Sequence, residues 1–235
     1  MCTVSFYKNK DQIIITSNRD ENIDRPLAIV PMAYQVNGVK LFYPKDPQGS
    51  GSWFVVNKNG NVFVLLNGAK CKHISKPPYK KSRGLILLEL ASALNFNEAW
   101  ISINLTNIEP FTIVVFVNNN LIQVRWNGNI KEIEILNNTE TKIWSSSTLY
   151  TSEIIQKREK WFKGFIKTKN KLLNSNDFID FHTKTQSQNS NNGLIINRDN
   201  KILTKSVTQY VLQKNTFNLL HFDLIENTKT VLTQI

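Results

Sequence analysis

Apolar and polar residues alternate along the front half of the chain in short runs separated by turn-forming clusters, a pattern of strands. Residues 3–7 and 12–17 are rich in β-branched and aromatic side chains, with Lys8-Asn9-Lys10-Asp11 as the turn between them. Residues 53–57 and 61–66 repeat the hairpin pattern around Lys58-Asn59-Gly60, and 111–117 and 121–126 do so around Asn118-Asn119-Asn120. Residues 130–136 follow Asn127-Gly128-Asn129 and extend a meander. Helical spacing appears in three places. Residues 82–94 carry Leu85, Leu88, Leu90 and Ala93 and predict a helix buried on more than one side. Residues 152–169 predict an amphipathic helix, with Ile154, Ile155, Trp161, Phe162, Phe165 and Ile166 as its apolar stripe and Lys and Arg opposite. A shorter helix is expected at 176–182. The polar stretch 183–192 has no apolar anchor and reads as a mobile loop. Strands resume at 193–197, 202–212 and 217–225. No linker or repeat divides the chain, so one domain is expected over 1–235. Strands, then helices, then strands predict an α+β layered domain rather than alternating βαβ units.

Composition narrows the function classes. A chain of 235 residues with 41% hydrophobic content can fill a sizeable core. The formal charge of +11 invites a nucleic-acid partner, but the basic residues are scattered. The tightest basic groups run from Lys70-Cys71-Lys72-His73 to Lys80-Lys81-Ser82-Arg83, with another at Lys157-Arg158-Glu159-Lys160. No zinc-finger, helix-turn-helix or RNA-binding signature accompanies them, which ranks nucleic acid last. A basic cleft for an anionic small molecule, acyl-amide or lipid-like ligand accounts for the charge as well. Cys2 and Cys71 cannot build a disulfide framework and have no metal-ligand spacing. His73, His182 and His221 lack any i, i+4 metal pairing, so neither metal nor cofactor is expected. The amino terminus lacks a signal-peptide pattern and apolar runs such as 113–117 are too short to span a bilayer. A cytoplasmic protein without membrane insertion is expected.

The candidate chemistry begins at Cys2. Removal of Met1 would leave a residue bearing both a thiol and an α-amine. An α-amine, with a pKa of roughly 7.7–8.0, can serve as its base. The alternative is a small buried hydrophobe on an edge strand. Asn18-Arg19-Asp20-Glu21 closes the second predicted strand, and a hairpin would return position 18 or 19 to the neighbourhood of position 2. Arg19 could stabilise a thiolate and Asp20 could orient an ammonium, whereas a solvated turn would give only a weak surface ion pair. Leu65-Leu66-Asn67-Gly68 ends another apolar strand, where the Asn67 amide could donate to an oxyanion or simply form an Asn-Gly turn. Lys81-Ser82-Arg83-Gly84 opens a helix, a place for capping or anion binding. His182 reads as a satisfied structural histidine or a residue facing the cleft.

These motifs, taken in order, resemble the NRDE family, the transport and Golgi organisation group. The residues that carry the likeness are Met1-Cys2-Thr3, Asn18-Arg19-Asp20-Glu21 with Arg25-Pro26, Gly51-Ser52-Trp53, Leu65-Leu66-Asn67-Gly68 and Ser82-Arg83-Gly84. Further matches are 144–150, Phe181-His182 and Ser206-Val207-Thr208. The resemblance implies an N-terminal nucleophile (Ntn) hydrolase fold, a four-layer αββα sandwich with two mostly antiparallel sheets. Its relatives, the conjugated bile acid hydrolases and penicillin acylases, cleave non-peptide C–N amide bonds. On that likeness Cys2 is the nucleophile, Arg19 and Asp20 support it, and Asn67 is the oxyanion donor, with Asn18 and Arg83 as further candidates. The bile acid hydrolases add a second Asn and a distal Arg, which by position fall near Ser147 and Lys205. Ser147 has the shorter reach, and Lys205 lacks a planar bidentate fork. Family members have been linked to secretory organisation, lipid and acyl-coenzyme A metabolism, and haem handling. The resemblance therefore implies an N-terminal cysteine hydrolase or acyltransferase acting through a thioester. The alternative is a non-catalytic carrier of haem, acyl-coenzyme A or a lipid, with Cys2 or His182 as a candidate axial ligand.

Overall fold

The computed structural model describes residues 3–168 and 173–234, which form an α+β protein. Cys2, and position 169 at the end of the expected long helix, lie outside the described residues. The chain divides into two compact units, one made of residues 1–25 with 139–235 and the other of 26–138.

The first unit holds a seven-stranded antiparallel sheet. Its strands are β1 (Thr3–Lys8) and β2 (Gln12–Asn22), then, after the 26–138 unit, β10 (Lys142–Ser145), β11 (Asn197–Arg198), β12 (Ile202–Gln213), β13 (Thr216–Asp223) and β14 (Thr228–Gln234). The order is β10-β1-β2-β12-β13-β14, with β11 also pairing β12. The second unit holds a seven-stranded antiparallel meander: β3 (Ile29–Val36), β4 (Val39–Lys45), β5 (Phe54–Asn57), β6 (Val62–Asn67), β7 (Phe111–Val117), β8 (Asn120–Trp126) and β9 (Lys131–Leu136). Between β6 and β7 lie α1 (Arg83–Ala91), capped by Ser82, and α2 (Phe96–Ser102), capped by Asn95. The helices α3 (Ser152–Thr168) and α4 (Ser175–Lys184) belong to the first unit. Among the described residues no helix is long and apolar enough to cross a membrane.

Strand alternation explains the packing of the first sheet. Ile14 on β2 and Val211 on β12 join Phe162, Phe178, Phe181 and Leu194 in one apolar cluster, with Trp161, Phe165 and Ile166 packed against it. The stripe expected on α3 therefore faces the core. Arg158 departs from the expected polar face: it lies four residues from both Ile154 and Phe162 and is fully buried. Backbone carbonyls and a threonine hydroxyl receive its guanidinium, so the position takes a cation where helical periodicity calls for an apolar residue.

Three other expectations change. Asn18-Arg19-Asp20-Glu21 lies inside β2 rather than at its end, because β12 continues to pair with it as far as Asn22. Its Asn18, Arg19 and Asp20 are buried, not a solvated turn. The strand expected at 193–197 is replaced by turns up to the short β11. There Gly193 N donates to Asn189 O at 2.7 Å and Asn197 N to Ser190 O at 2.9 Å, taking up groups a ladder would use. Residues Thr183 and Lys184, placed in the expected loop, form the last turn of α4.

Candidate functional site

The β1–β2 hairpin sets the geometry. Its register places Thr3 opposite Asn18, and β12 places Ser206 opposite Arg19 and Thr204 opposite Asp20. Even-numbered β2 side chains face α3 and α4, and they turn from apolar to polar toward the motif. Ile14 is in the core, Thr16 accepts from Gln209 at 3.0 Å, and Asn18 and Asp20 follow.

Asn18 fastens β2 to α4 and to the segment after it. Its Nδ2 donates to the His182 carbonyl at 3.1 Å and the Leu194 carbonyl at 2.6 Å, while its Oδ1 accepts from His182 Nδ1. Since that oxygen can only accept, His182 carries its proton on Nδ1, and Nε2 accepts from Ser5 Oγ at 2.7 Å. Burial, reinforced by the Arg158 cation, pushes the His182 pKa down to about 3. Both ring nitrogens of His182 are thus engaged, and the side chain is fully enclosed.

Asp20 is held by two hydroxyls. Tyr150 Oη donates to Oδ2 at 2.9 Å and Thr204 Oγ1 to Oδ1 at 2.5 Å. Tyr150 follows a turn in which its own N–H and that of Leu149 donate to Ser146 O, and Ser147 is buried in that turn. The guanidinium of Arg158 lies 3.6 Å from the centre of the Tyr150 ring, and that of Arg198 lies at 5.0 Å.

Arg19 faces the other side of the sheet by alternation and is also buried. Two groups register its charge. Burial first, then Arg19, lowers the Lys205 pKa, with Glu21, Asp223 and Asp24 opposing the shift. Burial pulls the His221 pKa down to about 4; Asp223 opposes this and Arg19 adds to it. Lys205 sits at a bulge between Thr204 and Ser206, and its ammonium donates to the carbonyls of Ile23, at 2.8 Å, and Arg25. Two of its three donors therefore fasten the chain that follows the Asn-Arg-Asp-Glu motif.

Asn67 and Arg83 belong to the second unit. Asn67 is the half-buried last residue of β6, opposite Phe111. Gly68, at φ +82°, follows it in a conformation that favours glycine. Arg83 pairs with Glu109 at 3.0 Å and donates to Pro110 O at 3.2 Å. The Gly51-Ser52 and Arg83-Gly84 motifs meet in a backbone crossing: a Cβ on Gly51 would lie 2.4 Å from the Gly84 carbonyl carbon. Both motifs thus have a packing role. A cavity of about 340 Å³ in this unit is lined in part by Lys70, Cys71, Lys72 and Arg125, with Glu132 paired to Lys70 at 2.8 Å. Among the described residues no group of three His, Cys, Asp or Glu is placed to hold a metal ion.

Tyr150, Arg158 and Thr204 are the site residues that sequence reasoning missed. Tyr150 stood within a quoted motif, but only topology brings the three beside β1 and β2.

Comparison with known proteins gives the architecture an independent frame. The family model described as Transport and Golgi organisation 2 matches residues 1–214. None of the curated proteins matches the chain by sequence. Among solved structures, the Caenorhabditis elegans ortholog of N-acylethanolamine-hydrolyzing acid amidase is similar at a TM-score of 0.58 and 13% identity, covering 91% of this chain and 93% of the other. Penicillin V acylase from Agrobacterium tumefaciens gives 0.56 and 10% identity, over 99% and 85%. A variant of conjugated bile acid hydrolase from Clostridium perfringens gives 0.54 and 11% identity, over 98% and 92%. The fold is that of the Ntn hydrolases.

Proposed function

Because this chain belongs to the Transport and Golgi organisation 2 family, we propose that it is an N-terminal cysteine hydrolase or acyltransferase acting on a non-peptide C–N amide. The observation that carries the reading is the buried Asn18-Arg19-Asp20 segment of β2. Its first residue pairs with Thr3, the covalent neighbour of Cys2. A buried carboxylate with two hydroxyl donors, next in sequence to a buried guanidinium, is costly to retain in a merely structural strand.

In the proposed reaction Met1 is removed and the Cys2 thiolate attacks the amide carbonyl carbon. The carbonyl π electrons move to oxygen, giving the tetrahedral oxyanion. Collapse breaks the C–N bond while the α-ammonium of Cys2 gives its proton to the departing nitrogen. Water or a second amine then loses a proton to the α-amine and attacks the thioester, restoring the thiolate. Arg19 favours the anionic sulfur, and Asp20, fixed by Tyr150 and Thr204, orients the ammonium.

The neighbours' names supply the first substrate panel: N-acylethanolamines, penicillin V and conjugated bile acids. The expected result is amide turnover by the wild type and none by Cys2→Ala. Equal turnover by both would overturn the proposal. The formal charge of +11 favours a second reading, a carrier for acyl-coenzyme A, haem or another anionic lipid. That reading requires such ligands, in excess, to raise the Tm.

A further inference from the structure

Arg158 is fully buried on the core-facing side of α3. Among the described residues no carboxylate forms an ion pair with it. Its Nη1 donates to Thr3 Oγ1 at 2.5 Å, Nη2 to the Gly193 carbonyl, and Nε to the Asn192 carbonyl at 3.3 Å. Its plane covers the Tyr150 ring at 3.6 Å, and Tyr150 in turn donates to Asp20. Burying a guanidinium without a counter-ion is expensive, and an apolar side chain at this helical position would complete the stripe at lower cost.

What the guanidinium gains is convergence. One planar fork reaches the first described residue of β1, the turn at 192–193 and the aromatic donor to Asp20. Methionine could fill the volume but could not bond these groups. Lysine could supply the charge but has neither the fixed fork nor the flat face.

We propose that Arg158 is the positioning residue of the N-terminal nucleophile, fixing Thr3 and the Tyr150–Asp20 pair as one unit. The inference rests on the reading of Cys2 as the nucleophile. It acts through Thr3 and Tyr150 and assigns Arg158 no contact with substrate.

Two reagents separate positioning from simple stability. With p-nitrophenyl acetate, the Cys2 sulfur attacks the acetyl carbon, the C–O bond breaks, p-nitrophenolate leaves and the acetyl group remains as a thioester. That reaction needs an aligned sulfur and oxyanion site. With iodoacetamide the sulfur displaces iodide and no oxyanion forms. Both adducts are quantified at Cys2 by mass spectrometry, with the exposed Cys71 as internal reference. Arg158→Met is expected to slow acetylation of Cys2 at least about tenfold, because small misplacements of a reacting atom have effects of this size. Iodoacetamide labelling of Cys2, and both reactions of Cys71, should stay within about twofold. Arg158→Lys should recover part of the acetylation rate. Should Arg158→Met fail to fold, Thr3→Val removes only the acceptor on β1 and should lower the same ratio. An unchanged ratio of acetylation to alkylation in the folded variants overturns the role of Arg158 alone. A wild type that neither takes an acetyl group at Cys2 nor releases p-nitrophenolate faster than Cys2→Ala overturns the nucleophile reading beneath it.

Discussion

Acid should destabilise this protein well above the pH at which carboxylates titrate, and the cause is two enclosed imidazoles. His182 and His221 have an ordinary pKa of 6.5, and in the folded state they are pushed down to about 3 and about 4. The folded rings stay neutral while the unfolded chain takes up a proton from each as pH falls through 6.5. The unfolded state then binds more protons, so stability decreases with falling pH. The window runs from 6.5 to about 4 for His221 and to about 3 for His182. One pKa unit corresponds to about 1.4 kcal/mol. Between about pH 7.5 and pH 5 each ring therefore removes about 2 kcal/mol, and the two together about 4 kcal/mol. Urea titrations at both values measure this directly, with an unchanged m-value as the control for two-state behaviour. His182→Gln should lose about half of the pH dependence, and the double variant with His221→Gln nearly all of it. A wild-type loss below about 1 kcal/mol, or full pH dependence in the double variant, would refute the reasoning.

Two substitutions probe the rest of the architecture. Tyr150→Phe deletes a hydroxyl donor to the Asp20 carboxylate, and urea denaturation should show a loss of about 1.5–3 kcal/mol, the range for hydrogen bonds to charged groups. Gly51→Ala forces a Cβ to within 2.4 Å of the backbone at Gly84, and a thermal melt should show a fall equivalent to at least about 1–3 kcal/mol from overpacking.

The strands at 111–117 and 202–212 and the described part of the long helix, Ser152–Thr168, were legible because long apolar periods leave little choice of state. The β3–β4 hairpin was not read. On β3, Ile29, Val30 and Met32 are exposed, so its apolar residues do not mark a buried face. The available signal was Asn37-Gly38, whose φ values of +51° and +77° are those of a two-residue hairpin turn. The strand β14 escaped for a related reason: its residues alternate between exposed and half-buried, with little apolar content inside. For the site, the neighbourhood of Thr3 and the Asn-Arg-Asp-Glu motif could be anticipated from one hairpin. The role of Arg158 could not, because a basic residue in Lys157-Arg158-Glu159-Lys160 looks like any solvated helical face until Thr3 and Gly193 are folded against it.

The most direct test of the proposed chemistry is the intact mass of the untagged protein before and after treatment with 2-cyanobenzothiazole, which condenses with a residue carrying both an α-amine and a thiol. The account predicts a chain lacking Met1 that gains one such adduct at Cys2. A chain that keeps Met1 after exposure to active methionine aminopeptidase and gains no adduct would contradict it, since Cys2 would then have no α-amine to move the proton.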